Sequence, residues 1–152
     1  METVKDLLAR KGGEAYSVRS DATVQEALQL MADRNIGAVL VADGSGEILG
    51  LFSERDYARW SIAKAHGTHG TPVREIMTSR VLYVDPRTSI RDCMELMTEK
   101  RVRHLPVLEN GKLAGMVSIG DVVKEVILHQ ENVISQQAFQ IDQLERYITG
   151  SL

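Results

Sequence analysis

The stretch TVQEALQLM at residues 23–31 returns 66 residues later as SIRDCMELM at residues 89–97. Each apolar position is kept: Val24 with Ile90, Ala27 with Cys93, Leu28 with Met94, Leu30 with Leu96, Met31 with Met97. Apolar residues at 24, 27, 28 and 31 follow helical spacing, so an amphipathic helix is predicted in both copies. Thr23 and Ser89 stand at the N-cap, with Glu26 and Asp92 three residues on to complete a capping box. The same offset carries Ile36 to Val102, Val39 to Leu105 and Val41 to Val107. After a turn one residue shorter, GLFSERD (50–56) falls on GMVSIGD (115–121), and VKDLL (4–8) resembles VREIM (73–77). The chain is an internal repeat, the feature that decides its architecture.

Each unit reads in the same order. A short apolar strand, Tyr16–Val18 or Leu82–Val84, precedes the helix. Two β-rich runs follow, at 38–41 and 48–52 in the first copy and 105–108 and 113–117 in the second, with turn residues between them as in a hairpin. A second helix begins near Ser53 or Ser118. The fold class is α/β (α+β): two β-α-β-β-α repeats related by a pseudo-twofold, plus a C-terminal helix. The expected divisions are repeat 1 at 1–64, a Gly/Thr/Pro linker at 65–72, repeat 2 at 73–128 and a helical extension at 129–152. The stretch from Asp121 to Ile148 reads as one or two helices, with a long apolar stripe that calls for a partner surface.

The 152 residues sum to 16.9 kDa, within the range of one compact domain. The repeat divides them into units of about 60 residues, each marginal alone. With 18 basic and 21 acidic side chains the net charge is −3. That balance, with aromatics at 5%, argues against nucleic acid as a partner. No apolar run reaches 18 residues and the first residues lack a signal-peptide core, so neither membrane nor secretion is expected. The single cysteine, Cys93, excludes an internal disulfide, and a cytoplasmic location is expected.

Ser53-x-x-Asp56 and Ser118-x-x-Asp121 carry two readings that can hold together. Hydroxyl and carboxylate can cap a helix start. The same helix start offers free N–H groups to a phosphate, and the carboxylate can accept the hydroxyls of a ribose. RVRHLP at 101–106 is either a solvated entry to a strand or a phosphate clamp built on the forked guanidinium donors. The aligned positions of unit 1, Asn35 to Val39, lack those charges, while unit 1 carries Arg55 and Arg59 where unit 2 has Gly120 and Lys124. Arg55, Arg59, Arg103 and His104 are expected to converge, giving two unequal pockets, of which the one ending in Asp121 is favoured. His66-x-x-His69 lacks a third ligand in its loop and is not read as a metal site. Cys93 aligns with Ala27 on the helix's apolar face and reads as a core thiol. No nucleophile with a base, no phosphate-cradling Gly-rich loop and no metal motif is found, so no catalytic residue and no enzyme is expected.

The repeated unit resembles the cystathionine-β-synthase-type repeat, the CBS domain, which occurs in pairs called Bateman modules. The resemblance rests on VREIMT (73–78), RHLPV (103–107) and the two Gly-x-x-Ser-x-x-Asp stretches at 50–56 and 115–121; ERDYAR (54–59) is similar to stand-alone bacterial members. It spans about residues 3–128. It implies that the repeats pack sheet to sheet and bind an adenine nucleotide (AMP, ADP, ATP, or NAD or NADH) between them as a regulatory ligand, with no required cofactor. By the resemblance Asp121 and Asp56 take ribose hydroxyls, and Ser118 and Ser53 take phosphate or the adjoining sugar. The apolar run of Tyr83 and Val84, Ile36 and Gly37, and Leu105 and Pro106 reads either as plain core or as the lining of an adenine slot, and by the resemblance backbone groups of the first strand would read the base edge. A homodimer is implied, and an unidentified effector protein is expected to receive the signal. The alternative is a ligand-independent interaction and dimerisation module in which the Ser–Asp pairs act only as caps.

Overall fold

A computed structural model describes residues 2–64 and 70–149. The elements run α1 (Val4–Lys11), β1 (Ser17–Arg19), α2 (Val24–Arg34), β2 (Ala38–Ala42), β3 (Ile48–Ser53), α3 (Glu54–Lys64), a 3-10 turn (Val73–Glu75), α4 (Ile90–Lys100), β4 (His104–Glu109), β5 (Lys112–Ser118) and α5 (Ile119–Thr149). The His66 and His69 pair and most of the expected linker lie outside the described residues.

The repeated helices begin and end alike. The Thr23 hydroxyl accepts from the Glu26 amide and the Glu26 carboxylate accepts from the Thr23 amide, while the Ser89 hydroxyl accepts from the Asp92 amide. Val24, Ala27 and Met31 are buried on one helix, and Ile90, Cys93 and Met97 on the other. Both stop at a left-handed residue, Asn35 at φ 52° and Arg101 at φ 54°. Asn tolerates that conformation, whereas for Arg its Cβ is strained against the following carbonyl. Arg101→Gly is therefore expected to raise stability by about 0.5–1 kcal/mol in a thermal or denaturant melt.

Both hairpins form, and a register shift falls at the same place in each, Val41/Ala42 and Val107/Leu108. In the first unit β1 pairs parallel with β2, giving the order β1-β2-β3. In the second, the strand expected at Leu82–Val84 shrinks to one parallel bridge, Val84 to Val107. The cause is a pair of prolines, Pro86 where Ser20 stands in unit 1 and Pro106 where Leu40 donates its amide to the Tyr16 carbonyl. Ser20 donates its amide to the Ala42 carbonyl, and proline has no N–H to continue the ladder. The Asp85 amide turns instead to the Thr88 hydroxyl.

The two cores exchange their leading segments. Val4 and Leu7 of α1 are buried with Ile90, Cys93, Leu105 and Val107 of the second unit. Val73 is buried with Val24, Met31, Val39 and Phe52 of the first. Matching backbone bonds hold each crossing: Val4 N–H to Thr88 C=O and Ile90 N–H to Glu2 C=O on one side, Val24 N–H to Thr71 C=O and Val73 N–H to Ala22 C=O on the other. Gly50 and Gly115 mark where the exchanged segments pass the sheets. A Cβ on Gly50 would meet Met77 Sδ at 2.5 Å and the Thr78 carbonyl at 2.8 Å, and one on Gly115 would meet Leu8 at 2.9 Å. Arg10 adds an ion pair with the buried Glu125 of α5 (3.0 Å) and one with Glu2.

The tail is one continuous helix. α5 runs 31 residues from Ile119, buries Val122 against the second core, and leaves residues 129–148 exposed along its length.

Candidate functional site

Ser53 closes β3 and stands before α3; Ser118 closes β5 and stands before α5. Each is a capping box. The Ser53 hydroxyl accepts from the Asp56 amide (3.2 Å), and Asp56 Oδ2 accepts from the Ser53 amide (2.9 Å) and hydroxyl (3.0 Å). The Ser118 hydroxyl accepts from the Asp121 amide (3.2 Å), and Asp121 Oδ2 accepts from the Ser118 amide (2.8 Å). Both helix starts open onto clefts lined by the two repeats together.

The first cleft, about 240 Å³, ends in Ser53 and Asp56. Arg55, Arg59, Arg80, Arg101 and Arg103 line it, opposed by the carboxylates of Glu54 and Asp56 alone. Arg55 donates to the Arg101 carbonyl at 3.1 Å, and Thr78 Oγ1 donates to Asp56 Oδ1 at 3.0 Å. The side chains of Arg59, Arg80 and Arg103 have no hydrogen-bond or ion-pair partner among the described residues, and the three residues are solvent-exposed. The second cleft, about 310 Å³, ends in Ser118 and Asp121. Its charged side chains already have partners. Lys11 Nζ pairs with Asp121 and donates to the Met116 carbonyl at 2.7 Å. The Tyr16 hydroxyl donates to Glu14 at 2.7 Å, and its ring faces the Arg34 guanidinium at 5.1 Å. Burial pushes the Asp121 carboxyl up, but the Lys11 ammonium and the Ser118 N–H outweigh it and hold the group below its ordinary range.

The expected convergence of Arg55, Arg59, Arg103 and His104 occurs, but around Asp56. Of the four only His104 also reaches the Asp121 cleft, with Ile36 and Gly37. The Asp121 pocket favoured from the sequence is lined by none of the three arginines. Tyr83, Val84 and Pro106 line neither cleft. Tyr83 is 62% exposed, Val84 is in the core, and Pro106 is buried in the middle of β4 opposite Met116. Arg80, Val81 and Leu82, just ahead of Tyr83, line the Asp56 cleft instead. The sequence reading missed Lys11, Glu14, Tyr16, Thr78 and Arg80. The offset of 66 that aligns the helices sets Glu14 against Arg80 and Asn35 against Arg101, so the opposite character of the two clefts was present in the aligned columns.

His104 stands where the clefts meet, and a Cβ on Gly37 would lie 3.3 Å from its Nε2. Burial lowers its pKa from the ordinary 6.5, with Lys11 adding to the effect and Asp121 and Glu54 opposing it. A group whose folded pKa is depressed below the unfolded value costs stability once the unfolded chain takes up the proton first. Stability is expected to fall as pH drops below 6.5 toward the folded pKa, and His104→Gln to flatten that limb in pH-resolved melts. The Cys93 thiol, buried in the second core, is pushed up to about 11 by burial and is inert.

Paired repeats that share two clefts, each beginning at a capped helix start, define a class of protein whose sites belong to both units at once. The chain belongs to the CBS-domain family: the CBS domain matches residues 4–63 and again 73–128. It is 36% identical over 157 aligned residues to the mitochondrial CBS domain-containing protein CBSX3 of Arabidopsis thaliana, covering 97% of this chain and 72% of that one. Among solved structures it is similar to a protein with CBS domains from Burkholderia ambifaria, at 48% identity and a TM-score of 0.79, covering 84% of this chain and 96% of that one. It is also similar to CBSX2 solved in complex with AMP, at 27% identity and a TM-score of 0.68, covering 86% and 99%. Proteins built on CBS pairs are regulatory modules. No helix among the described residues is long and apolar enough to cross a membrane, and no three His, Cys, Asp or Glu side chains among them cluster to hold a metal.

Proposed function

We propose that this chain is a non-catalytic sensor of adenine nucleotides, and that its phosphate-bearing ligand occupies the cleft ending in Asp56. The observation that carries this reading is three exposed guanidiniums, of Arg59, Arg80 and Arg103, facing one cleft without internal partners. Guanidinium is the side chain suited to forked contact with phosphate oxygens. The start of α3 adds its free amides and the positive end of its dipole. Asp56 would take the ribose hydroxyls in exchange for its bonds to Ser53 and Thr78, and Leu82 and Gly37 would flank the base. The AMP complex of CBSX2 supports the ligand class.

The Asp121 cleft takes a less charged ligand or none, because a carboxylate already paired with Lys11 must give up that partner to bind ribose. A bridging ligand signals by binding two inter-repeat arrangements with different affinity, and the reader of that change is an effector protein. The chain works as a homodimer in the cytoplasm, where its one thiol stays reduced.

Titration calorimetry with AMP, ADP, ATP, NAD and NADH tests the proposal. Heat with at least one of them, growing weaker as salt rises, is expected. No heat and no thermal shift with any would leave the Ser–Asp pairs as caps and the chain as an interaction module.

A further inference from the structure

The family match ends at residue 128, but α5 continues to Thr149. Along it Ile127, Ile134, Ile141 and Ile148 recur at intervals of seven residues. They are 49%, 65%, 57% and 78% exposed. Four residues before each stand Val123, Gln130, Gln137 and Leu144, all exposed. These two sets form a single stripe on the helix, at the spacing of the a and d positions of a coiled coil. Val122 and Glu125, which α5 buries against its own chain, lie on its other side. The stripe therefore begins on the family module and runs outward for about 38 Å.

We infer that the occupant of this stripe is α5 of a second copy, paired in parallel as a two-stranded coiled coil. β-branched residues at every a position favour two parallel strands. Parallel pairing sets each isoleucine against its own copy and joins Gln130 to Gln130 and Gln137 to Gln137, whose amides can both donate and accept. Antiparallel pairing would set Ile141 against Gln130 and Ile134 against Gln137, burying amides against hydrocarbon. Flanking positions meet without like charges: Val126 faces Glu131, and Val133 faces Ala138. A lipid surface is a poorer occupant, since residues 129–148 carry Glu131, Asp142 and Glu145 against one basic residue, Arg146.

This inference rests on the self-association proposed above and adds its location and direction. The test uses the full chain with Gln130→Cys, mildly oxidised and run on a non-reducing gel beside its sedimentation mass. Cys93 is buried and stays silent. A disulfide-linked dimer is expected from Gln130→Cys and none from Asn132→Cys, which lies off the stripe. In an antiparallel pair the two 130 positions would be about 16 Å apart, too far for a disulfide. Adding Ile134→Asp and Ile141→Asp is expected to abolish the cross-link while the thermal melt of the repeats is kept, because neither side chain touches either core. A dimeric mass without the Gln130 link overturns the parallel seam and leaves self-association standing; a monomeric mass overturns both. A monomer that co-sediments with phosphatidylglycerol vesicles assigns the stripe to lipid instead.

Discussion

Arg103→Ala is expected to weaken nucleotide binding by about 10–100-fold while moving the melting temperature little. A hydrogen bond to a charged partner contributes about 1.5–3 kcal/mol, and each 1.4 kcal/mol is tenfold in affinity. Arg103 lies at the mouth of β4, lines the Asp56 cleft and has no internal partner among the described residues, so removing it leaves nothing orphaned in the free protein. Its counterpart in the other unit is Gly37. Lys11→Ala, in the Asp121 cleft, should cost little affinity, because Lys11 already serves Asp121 and the Met116 carbonyl. Calorimetry on both variants at two salt concentrations decides the matter. If Lys11→Ala loses as much as Arg103→Ala, the Asp56 cleft is not the principal site.

Leu7→Ala should lower stability by about 2–5 kcal/mol, the usual result of deleting three buried carbons from a packed site. In a protein of this size that is a drop of about 5–15 °C in melting temperature. Leu7 is 1% exposed and lies in the core of the second repeat. The distinguishing result is therefore where the damage falls. Hydrogen exchange should accelerate in β4 and β5, about 100 residues along the chain, before it does in β2 and β3. A loss confined to β2 and β3 would contradict the exchanged packing.

Much of this architecture was legible in the sequence because it is written twice. Thr23 and Ser89, the apolar faces of α2 and α4, and both hairpins follow from local rules that each copy repeats. The strand at Leu82–Val84 was misread because two copies of similar hydropathy differ at two residues, Pro86 and Pro106, that each remove an N–H from the ladder. The exchange of α1 and the Val73 segment was not legible, since VKDLL and VREIM are alike and nothing local says which core each enters. Among the site residues, Arg55, Arg59, Asp56 and Arg103 were found by comparing the copies. Their assignment to a cleft was not, because it depends on which side of the pseudo-twofold each helix start faces. That Tyr83, Val84 and Pro106 lie off both clefts has a simpler reason: apolar character near a motif does not say whether a side chain faces a cavity, a core or water.

The exchanged leading segments also set an order of events during synthesis. α1 is made early, but the surface that receives Val4 and Leu7 includes Ile90, Cys93, Leu105 and Val107. At about 5–20 residues per second, some 80–100 further residues take on the order of 4–20 s to appear. Through that interval the first repeat also lacks Val73 until the chain has passed its own last helix. The first core, drawn from residues 16–77, can close once Val73 has emerged, but the second cannot close on α1 until β4 and β5 have followed, and the molecule becomes a single cooperative object only when most of both repeats has left the ribosome.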